Sequence, residues 1–205
     1  MEQGTEEWFA ARLGRVTASR VQDIVARTKS GYSATRDNYM AQLVCERLTG
    51  KATESFSNAA MAHGTETEPL ARAAYEMANG VLVDEVGFIQ HPTLMAGASP
   101  DGMVGTDGLI EIKCPQTNTH IATLIKGKIP SKYKAQMTWQ MLCTGRKWCD
   151  FISFDPRLPQ ELQMFVQRYP YDAEYAKELE SEVLLFLAEV DVTLTTLNQL
   201  REKNV

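Results

Sequence analysis

The segment SPDGMVGTDGLIEIKCP, residues 99–115, limits the possible folds of this chain more than any other stretch. Its second half, GLIEIK, alternates as a strand does, so Glu111 and Lys113 point to one side and the two isoleucines to the other. Asp101 precedes Glu111 by ten residues, and the glycines between them permit a tight return. The segment therefore predicts a strand and, before it, a tight return that brings the carboxylates of Asp101 and Glu111 together.

Two adjacent carboxylates repel each other, and one takes up a proton unless a cation separates them. Mg²⁺ and Mn²⁺ resolve the conflict, because they prefer oxygen ligands and keep several waters. The carbonyl of Ile112 is a further candidate ligand, and Lys113 can orient or deprotonate a bound water, the nucleophile of metal-assisted phosphodiester hydrolysis. In the alternative interpretation, Glu111 and Lys113 form a surface ion pair on an edge strand and the Pro-Asp-Gly sequence is an ordinary turn. Spacing alone leaves both interpretations open.

Composition favours a reduced protein of the cytoplasm. The 205 residues suffice for one domain, residues 1–205, with a single hydrophobic core. The four cysteines are spread through the chain, and we find neither a signal-peptide pattern nor an apolar run of membrane-spanning length. We therefore expect no contact with a membrane.

The net charge of −5 argues against a generally sticky nucleic-acid coat protein, because sequence-independent phosphate affinity comes from many Lys and Arg side chains. It is compatible with a nucleic-acid enzyme, since metal-binding acids lower the net charge while a local groove stays basic. One dense lysine cluster is either such a local patch or a solvated surface: Lys126, Lys128, Lys132 and Lys134.

Capping residues and apolar spacing predict several helices. We expect one over GTEEWFAARLG with Thr5 as N-cap, one that starts from a capping box at Ser19, and one over residues 37–48. ETEPLARAAYEMANG predicts a further helix with Pro69 in its first turn. The spacing over residues 172–200 predicts a last helix that packs on the domain's own sheet or, alternatively, on another subunit.

Strand-like segments occupy the second half of the chain: VLVDEVGFI, residues 94–98, GLIEIK, WCDFISF and LQMFVQRY. A helix over SKYKAQMTWQMLCTG separates the third from the fourth. This order predicts an α/β fold with a mixed central sheet flanked by helices.

The dipeptide Pro100-Asp101, followed by Glu111-Ile112-Lys113, looks like the signature of the PD-(D/E)XK nuclease superfamily. More closely, the chain resembles the phage lambda-type alkaline exonucleases and their prophage relatives. The resemblance covers most of the chain, through EQGTEEWFAARLGRVTAS, GTETEPLARAAYE, AGASPDG, LIEIKCP, YKAQMTWQM and FDPR. It implies the restriction-endonuclease-like core of that superfamily.

The resemblance also implies an activity and partners. Such enzymes digest one strand of linear double-stranded DNA from a 5′-phosphorylated end and leave a 3′ single-stranded tail for recombination by strand annealing. They form a homotrimeric ring and act with a single-strand annealing protein in the bacterial host cell. The expected cofactor is Mg²⁺, with two ions per active site and with Mn²⁺ able to substitute.

The family's functional residues fall on particular positions of this sequence. Its metal-binding acids correspond to Asp101 and Glu111, and its catalytic lysine corresponds to Lys113. A metal-binding acid on a helix corresponds to Glu68, with the neighbouring Glu66 as a rival candidate.

The terminal phosphate of the DNA requires hydrogen-bond donors, and by similarity to the family the candidates are Arg12, Ser19 and Ser99. Each has a plain alternative: Arg12 as a surface helix residue, Ser19 as an ordinary cap, and Ser99 as a turn former. Met61 corresponds to an apolar wedge that separates the terminal base pair, and its alternative is core packing.

Gln136 and Gln140 lie one helical turn apart in AQMTWQM, on a helix otherwise apolar enough to be buried. Polar side chains there need partners. The resemblance implies that Gln136 faces the active site, where it holds the scissile phosphate or a metal-bound water, and we expect Gln140 to be structural.

Cysteine and histidine spacing predicts neither an iron–sulfur cluster nor a zinc site, because the sequence contains no C-x-x-C and no H-E-x-x-H. Two alternative functions stay open. One is a structure-specific endonuclease with the same metal site, and the other is a catalytically inactive module that binds DNA ends. The complete set of acids and lysine counts against the inactive module.

Overall fold

The structure, a computed structural model, describes residues 2–53 and 59–203, with side chains from residue 62 onward in the second range. Its helices are α1 (Glu6–Arg12), α2 (Val21–Val25), α3 (Ala34–Thr49), α4 (Ala59–Asn79), α5 (Thr117–Lys126), α6 (Lys134–Thr144) and α7 (Ala173–Lys203). Its strands are β1 (Val16–Thr17), β2 (Arg27–Thr28), β3 (Gly31–Tyr32), β4 (Val83–Asp84), β5 (Ile89–Gln90), β6 (Ala96–Ala98), β7 (Gly102–Val104), β8 (Gly108–Lys113), β9 (Trp148–Phe154) and β10 (Met164–Pro170).

A mixed five-stranded sheet with the order β10-β9-β8-β7-β4 forms the centre of the protein. β8 and β9 are parallel, and the other neighbours are antiparallel. The connection between the parallel strands carries α5 and α6, since a parallel pair needs a crossover rather than a tight turn. A smaller sheet, β1-β6-β5, and the hairpin β2-β3 complete the strands of the described residues. The arrangement confirms the predicted α/β fold with a mixed sheet flanked by helices.

The predicted tight return between Asp101 and Glu111 is a β-hairpin in the structure, and its first strand, β7, was not predicted. β7 and β8 pair antiparallel with Gly102 opposite Ile110, which brings the residue before β7 beside the middle of β8. Gly105 in the turn has φ 53°, a conformation that glycine adopts at no steric cost.

The central strand β8 is buried on both of its faces. Ile110 and Ile112 pack with Tyr75 of α4 on one face, and Leu109 packs with Met137 of α6 on the other. The charged side of the strand therefore lies under a helix and not in bulk solvent. This position overturns the interpretation of β8 as an edge strand with a surface ion pair.

Three predictions of local structure are wrong. Ser19 does not cap a helix: it lies in a 3₁₀ turn, Ala18–Arg20, that runs into α2, and its Oγ lies 3.5 Å from Thr17 Oγ1. Pro69 lies inside α4 rather than in its first turn, because the helix already begins at Ala59. VLVDEVGFI is divided between β4 and β5, which belong to different sheets.

Helix α5 was not predicted from the sequence. It has ten residues, and Gln116 at its N-cap makes no side-chain hydrogen bond to it. Its one clear local signal is Gly127, which ends it with φ 57°. The helix depends on its contacts with β9, where buried His120 accepts or donates a hydrogen bond of 2.7 Å with Ser153.

The last helix, α7, is long and apolar enough to cross a membrane by length and composition, contrary to the expectation of no such run. One face of it is buried in the largest core cluster of the described residues, where Val183, Phe186 and Val190 contact residues of α2, α3 and α6. Glu189 and Asp191 on the same stretch pair with arginines of α3. In this structure α7 is a core helix of its own domain, but it packs mainly on helices α2, α3 and α6, so the prediction that it packs on the sheet is wrong.

We predict that Arg36→Met destabilises the protein more than Arg27→Met. Arg36 is 4% exposed and makes two hydrogen bonds, of 2.6 and 3.0 Å, to Glu189. Hydrogen bonds to charged groups stabilise by about 1.5–3 kcal/mol, so we expect the free energy of unfolding to fall by about 2 kcal/mol in urea titrations.

Arg27 is the matched control, because it pairs with Glu182 and stacks on Tyr32 in the same way but is 52% exposed. Its replacement is expected to cost less than about 1 kcal/mol. Equal losses for the two variants would show that burial does not decide the strength of these ion pairs.

Candidate active site

Glu111 is 0% exposed, and each of its carboxylate oxygens accepts a hydrogen bond from a side-chain amide. Gln136 Nε2 donates to Oε1 at 2.6 Å, and Gln140 Nε2 donates to Oε2 at 2.6 Å. Lys113 forms an ion pair with Oε1. The two amides reach one carboxylate because they lie one turn apart on the same face of α6. Gln136 thus lies where it was predicted, whereas Gln140, expected to be structural, contacts the same carboxylate and belongs to the site.

Asp101 lies beside Glu111 through the β7–β8 hairpin. Its Oδ2 accepts a hydrogen bond of 2.6 Å from the backbone N–H of Ile112. Removal from water, together with repulsion by Glu111 and Glu68, raises the pKa of Asp101 well above its ordinary value. The predicted meeting of two carboxylates is therefore present in the folded chain.

Glu68 on α4 is the third acid of the site. Burial raises its pKa above the ordinary value, against the opposing effect of Arg72 and Lys113 and with a further rise from Glu111. It lines a cavity of about 390 Å³ together with Ile112 and Lys113. Glu66 is exposed, so the geometry favours Glu68 of the two candidates.

Lys113 is the cation of this acid cluster. Burial works against its charged form, but the carboxylates of Glu111 and Asp101 outweigh that effect and raise the pKa of its ammonium above the ordinary value. Its Nζ also lies 5.4 Å from the centre of the Tyr133 ring. In the arrangement seen here, Lys113 is a protonated partner of the acids and not a free base.

The donor set fits a hard divalent cation. Among the described residues, no three Asp, Glu, His or Cys side chains are arranged to enclose an ion by themselves. Mg²⁺ does not require such an enclosure, because it is usually bound by one or two carboxylates and completes its shell with water and substrate phosphates. The repulsion between Asp101, Glu111 and Glu68 is the kind of conflict that a cation relieves.

Arg12 occupies a second polar site close to the acids. Its Nη1 donates to Ser99 Oγ at 3.3 Å, Trp8 Nε1 donates to the same oxygen at 2.9 Å, and the guanidinium lies 3.9 Å from the centre of the Trp8 ring. Burial lowers the pKa of Arg12 below its ordinary value, although arginine stays charged in proteins. No carboxylate in the described part of the chain forms an ion pair with Arg12. A partly buried cation that donates to a neutral hydroxyl, with Glu46 as the carboxylate in the same pocket, is suited to an anionic ligand.

This second site is a cavity of about 440 Å³, which we call the Arg12 pocket. Ser19 lines it, so the residue lies in the predicted place although it is not a helix cap. Trp8 was not selected as a functional residue from the sequence. The feature that could have identified Trp8 is its position four residues before Arg12, because this spacing places both side chains on one face of α1.

Met61 lies outside the residues whose side chains the structure describes, so its role as a wedge stays a prediction. The four cysteines are free thiols. Burial raises the pKa of Cys114, next to the site, to about 12, so it is not a reactive thiolate at neutral pH.

Comparisons with known proteins agree with this geometry. The profile of the family described as "YqaJ-like viral recombinase domain" matches residues 7–147. An alkaline exonuclease (LHK-Exo) from Laribacter hongkongensis is 53% identical, and its crystal structure has a TM-score of 0.91 over 98% of this chain and 100% of that chain. The structure of LHK-Exo in complex with dAMP gives 54% identity with the same coverage.

A phage related exonuclease from Haemophilus somnus 129PT is 15% identical, with a TM-score of 0.72 over 89% of this chain and 96% of that chain, and shows similarity of fold alone. No curated protein matches the chain. The comparisons confirm the resemblance to the alkaline exonucleases and the restriction-endonuclease-like fold expected from the sequence.

We predict that Asp101→Asn stabilises the metal-free protein, and more so as the pH rises. Folding raises the pKa of Asp101, so its carboxyl stays protonated in the folded protein to a higher pH than in the unfolded chain. The protein therefore loses stability as the pH rises from the unfolded pKa through the folded pKa of this group. Asparagine keeps an acceptor for the Ile112 N–H but carries no charge. We expect the unfolding midpoint in EDTA to rise by at least about 2 °C at pH about 8, since each kcal/mol moves it by roughly 2–4 °C in a domain of this size.

Asp107→Asn is the control, because Asp107 pairs with exposed Lys147 away from the acid cluster. It should leave the midpoint nearly unchanged at both acidic and alkaline pH. An Asp101→Asn variant that is no more stable than wild type at alkaline pH would contradict the repulsion between the acids.

Proposed function

Since the chain belongs to the YqaJ-like viral recombinase family and is 53% identical to an alkaline exonuclease, we propose that it is a recombination exonuclease that acts on DNA ends. It digests one strand of linear double-stranded DNA from a 5′-phosphorylated end and leaves a 3′ single-stranded tail. The observation that carries this proposal is the juxtaposition of a partly buried acid–lysine cluster with the cationic Arg12 pocket.

The acids are the proposed holders of the metal. Asp101, Glu111 and Glu68, with the carbonyl of Ile112, would bind two Mg²⁺ ions, and Mn²⁺ would substitute. Such ions supply an activated water and neutralise charge on the scissile phosphate. The three acids support this assignment: removal from water, and further repulsion by Glu111, raise the pKa values of Asp101 and Glu68, and a bound cation would favour their charged forms.

The protein's own groups position the reaction. Gln136 and Gln140 fix the Glu111 carboxylate, so that its orientation does not depend on substrate. Lys113 neutralises that carboxylate in the resting protein. A cation bound by the acids would lower the pKa of Lys113 and free its amine to orient or deprotonate the attacking water.

The Arg12 pocket is the proposed reason that the enzyme begins at a 5′-phosphorylated DNA end. Arg12 and Ser99 offer donors to a 5′-phosphate, with Ser19 on the wall of the same pocket. Ser99 precedes Asp101 by two residues, which limits their separation along the backbone to roughly 7 Å. This closeness favours cleavage one nucleotide from the gripped phosphate.

We further propose that the protein assembles as a homotrimeric ring and acts with a single-strand annealing protein. The support for both is the family resemblance. A closed ring around the duplex would keep an enzyme of net charge −5 on its substrate without many phosphate contacts per subunit.

We predict that Lys113→Ala lowers nucleotide release from linear 5′-phosphorylated duplex by at least about 100-fold. Removal of Mg²⁺ with EDTA should abolish release by the wild-type protein. The measurement is acid-soluble label released from either strand end, and the control is Lys147→Ala, which removes a 73% exposed lysine far from the acids. Covalently closed circles should stay intact, and their cleavage would favour the structure-specific endonuclease instead.

We predict that Arg12→Gln removes the preference for a 5′-phosphate. The rate on 5′-phosphorylated duplex should fall about tenfold or more, because charge-assisted hydrogen bonds are lost, while the rate on 5′-hydroxyl duplex stays the same. Arg201→Gln, at the exposed end of α7, is the control of equal charge. An unchanged ratio of the two rates in Arg12→Gln would place the phosphate elsewhere.

A further inference from the structure

The segment of residues 14–17 joins the end of α1, which carries Arg12, to the 3₁₀ turn that carries Ser19. Its backbone is bound by side chains from one face of α3, and the proposed mechanism gives these side chains no role. We call the three residues involved the α3 clasp: Tyr39, Glu46 and Arg47. The α3 clasp therefore fixes the backbone between two of the proposed phosphate-binding residues.

The α3 clasp satisfies backbone groups of this segment with side chains. Glu46 Oε2 accepts a hydrogen bond of 2.9 Å from the Gly14 N–H, and Arg47 Nε donates to the carbonyl oxygen of Gly14 at 2.8 Å. Tyr39 Oη accepts a hydrogen bond of 3.1 Å from the Thr17 N–H. Gly14 has φ 66°, and a Cβ atom there would lie 2.8 Å from Arg47 Cγ, so the close approach requires glycine. The turn that ends α1 is thus bound to α3 through both the N–H and the carbonyl group of Gly14.

Glu46 is the member of the α3 clasp whose charge also bears on the phosphate site. Its side chain is buried, and it is the sole carboxylate among the described residues that line the Arg12 pocket. Its negative charge favours the charged form of Arg12, against the effect of burial on the pKa of that guanidinium. A carboxylate in a phosphate pocket also repels the anionic ligand. We therefore expect Glu46 to contribute something that outweighs this repulsion.

The hydrogen bonds of Glu46 indicate what that contribution is. Both of its oxygens are bound by neutral donors, Oε2 by the Gly14 N–H and Oε1 by Gln42 Nε2 at 2.8 Å. Gln42 is fixed in turn by Arg20, whose Nη1 donates to Gln42 Oε1 at 2.9 Å. Among the described residues Glu46 forms no ion pair with Arg12, whose hydrogen bond goes to a hydroxyl. The acid therefore holds the backbone in place and leaves the guanidinium to its ligand.

We infer that Glu46 is a positioning residue for recognition of the 5′-phosphate. Its hydrogen bond from Gly14 fixes the end of α1, so that the Arg12 guanidinium lies beside Ser99 before DNA binds. Donors that are held in place beforehand lose less freedom on binding and therefore bind their ligand more tightly. The inference rests on the proposed function, because it takes the Arg12 pocket as the site of the terminal phosphate. It assigns the effect to the hydrogen bond of Glu46 and not to its charge.

The test is binding of the full chain to a DNA hairpin whose open end carries either a 5′-phosphate or a 5′-hydroxyl, measured by fluorescence anisotropy in EDTA. The phosphate preference is the ratio of the two dissociation constants. We expect Glu46→Met to lower this preference about fivefold, because methionine fills the space but accepts no hydrogen bond from Gly14. Affinity for the hydroxyl end should not change. Glu46→Gln should keep the wild-type preference or exceed it, since its amide oxygen accepts from Gly14 and the repelling charge is gone.

Glu189→Ala is the matched control, because Glu189 binds Arg36 of the same helix α3 and neither residue lines the Arg12 pocket. It should leave the phosphate preference unchanged. Thermal melting checks that each variant is folded, and Glu46→Ala takes the place of Glu46→Met if the methionine variant does not fold. An unchanged preference in that variant, or an equal fall in Glu46→Gln or Glu189→Ala, would overturn the inference. An unchanged preference in Arg12→Gln would instead overturn the proposed phosphate site itself, so the two failures are distinguishable.

Discussion

The burial of the Glu111 carboxylate on the central strand is the constraint from which the rest of the site follows. A carboxylate without water costs several kcal/mol unless donors and a counter-charge replace its hydration. Here two amides of α6 and the ammonium of Lys113 replace it, and this requires α6 to lie over β8 with both glutamines facing the strand. The crossover through α5 and α6, which the parallel pair β8–β9 needs for its connection, is thus also what supplies the partners of the acid.

The same compact arrangement leaves negative charge concentrated at the acids and positive charge at Arg12. Asp101 and Glu68 approach a carboxylate that is already paired, and removal from water together with repulsion by Glu111 raises their pKa values, although Arg72 pairs with Glu68. Arg12 is the converse case, since it is partly buried, its hydrogen bond goes to the neutral hydroxyl of Ser99, and it forms no ion pair among the described residues. A protein selected for stability alone would bring the opposite charges together. In the proposed function, keeping them apart serves to bind a cation at the acids and a phosphate at Arg12, and functional sites often hold such unfavourable charges.

Much of this could be predicted from local sequence. The alternation in GLIEIK and the glycines before it were enough to predict the strand and the tight return that joins Asp101 to Glu111, and the last helix was predicted within a few residues. The errors came where a local signal competes with packing. Ser19 has capping-box spacing but lies in a 3₁₀ turn, and Pro69 marks the interior of a helix that starts ten residues earlier. Helix α5 carries weak caps and depends on contacts with β9, which no local pattern shows.

The sequence by itself determined the strand that carries Glu111 and Lys113, the turn that returns Asp101 to it, and the family to which these motifs belong. These features depend on residues close in sequence, where backbone sterics and alternation act directly. Only the tertiary structure decided that both faces of β8 are buried, that Gln140 shares the carboxylate with Gln136, and that Trp8 holds Arg12 beside Ser99. Those relations join segments from 25 to 91 residues apart, and they arise because each buried polar group must find its partner wherever the folded chain brings one.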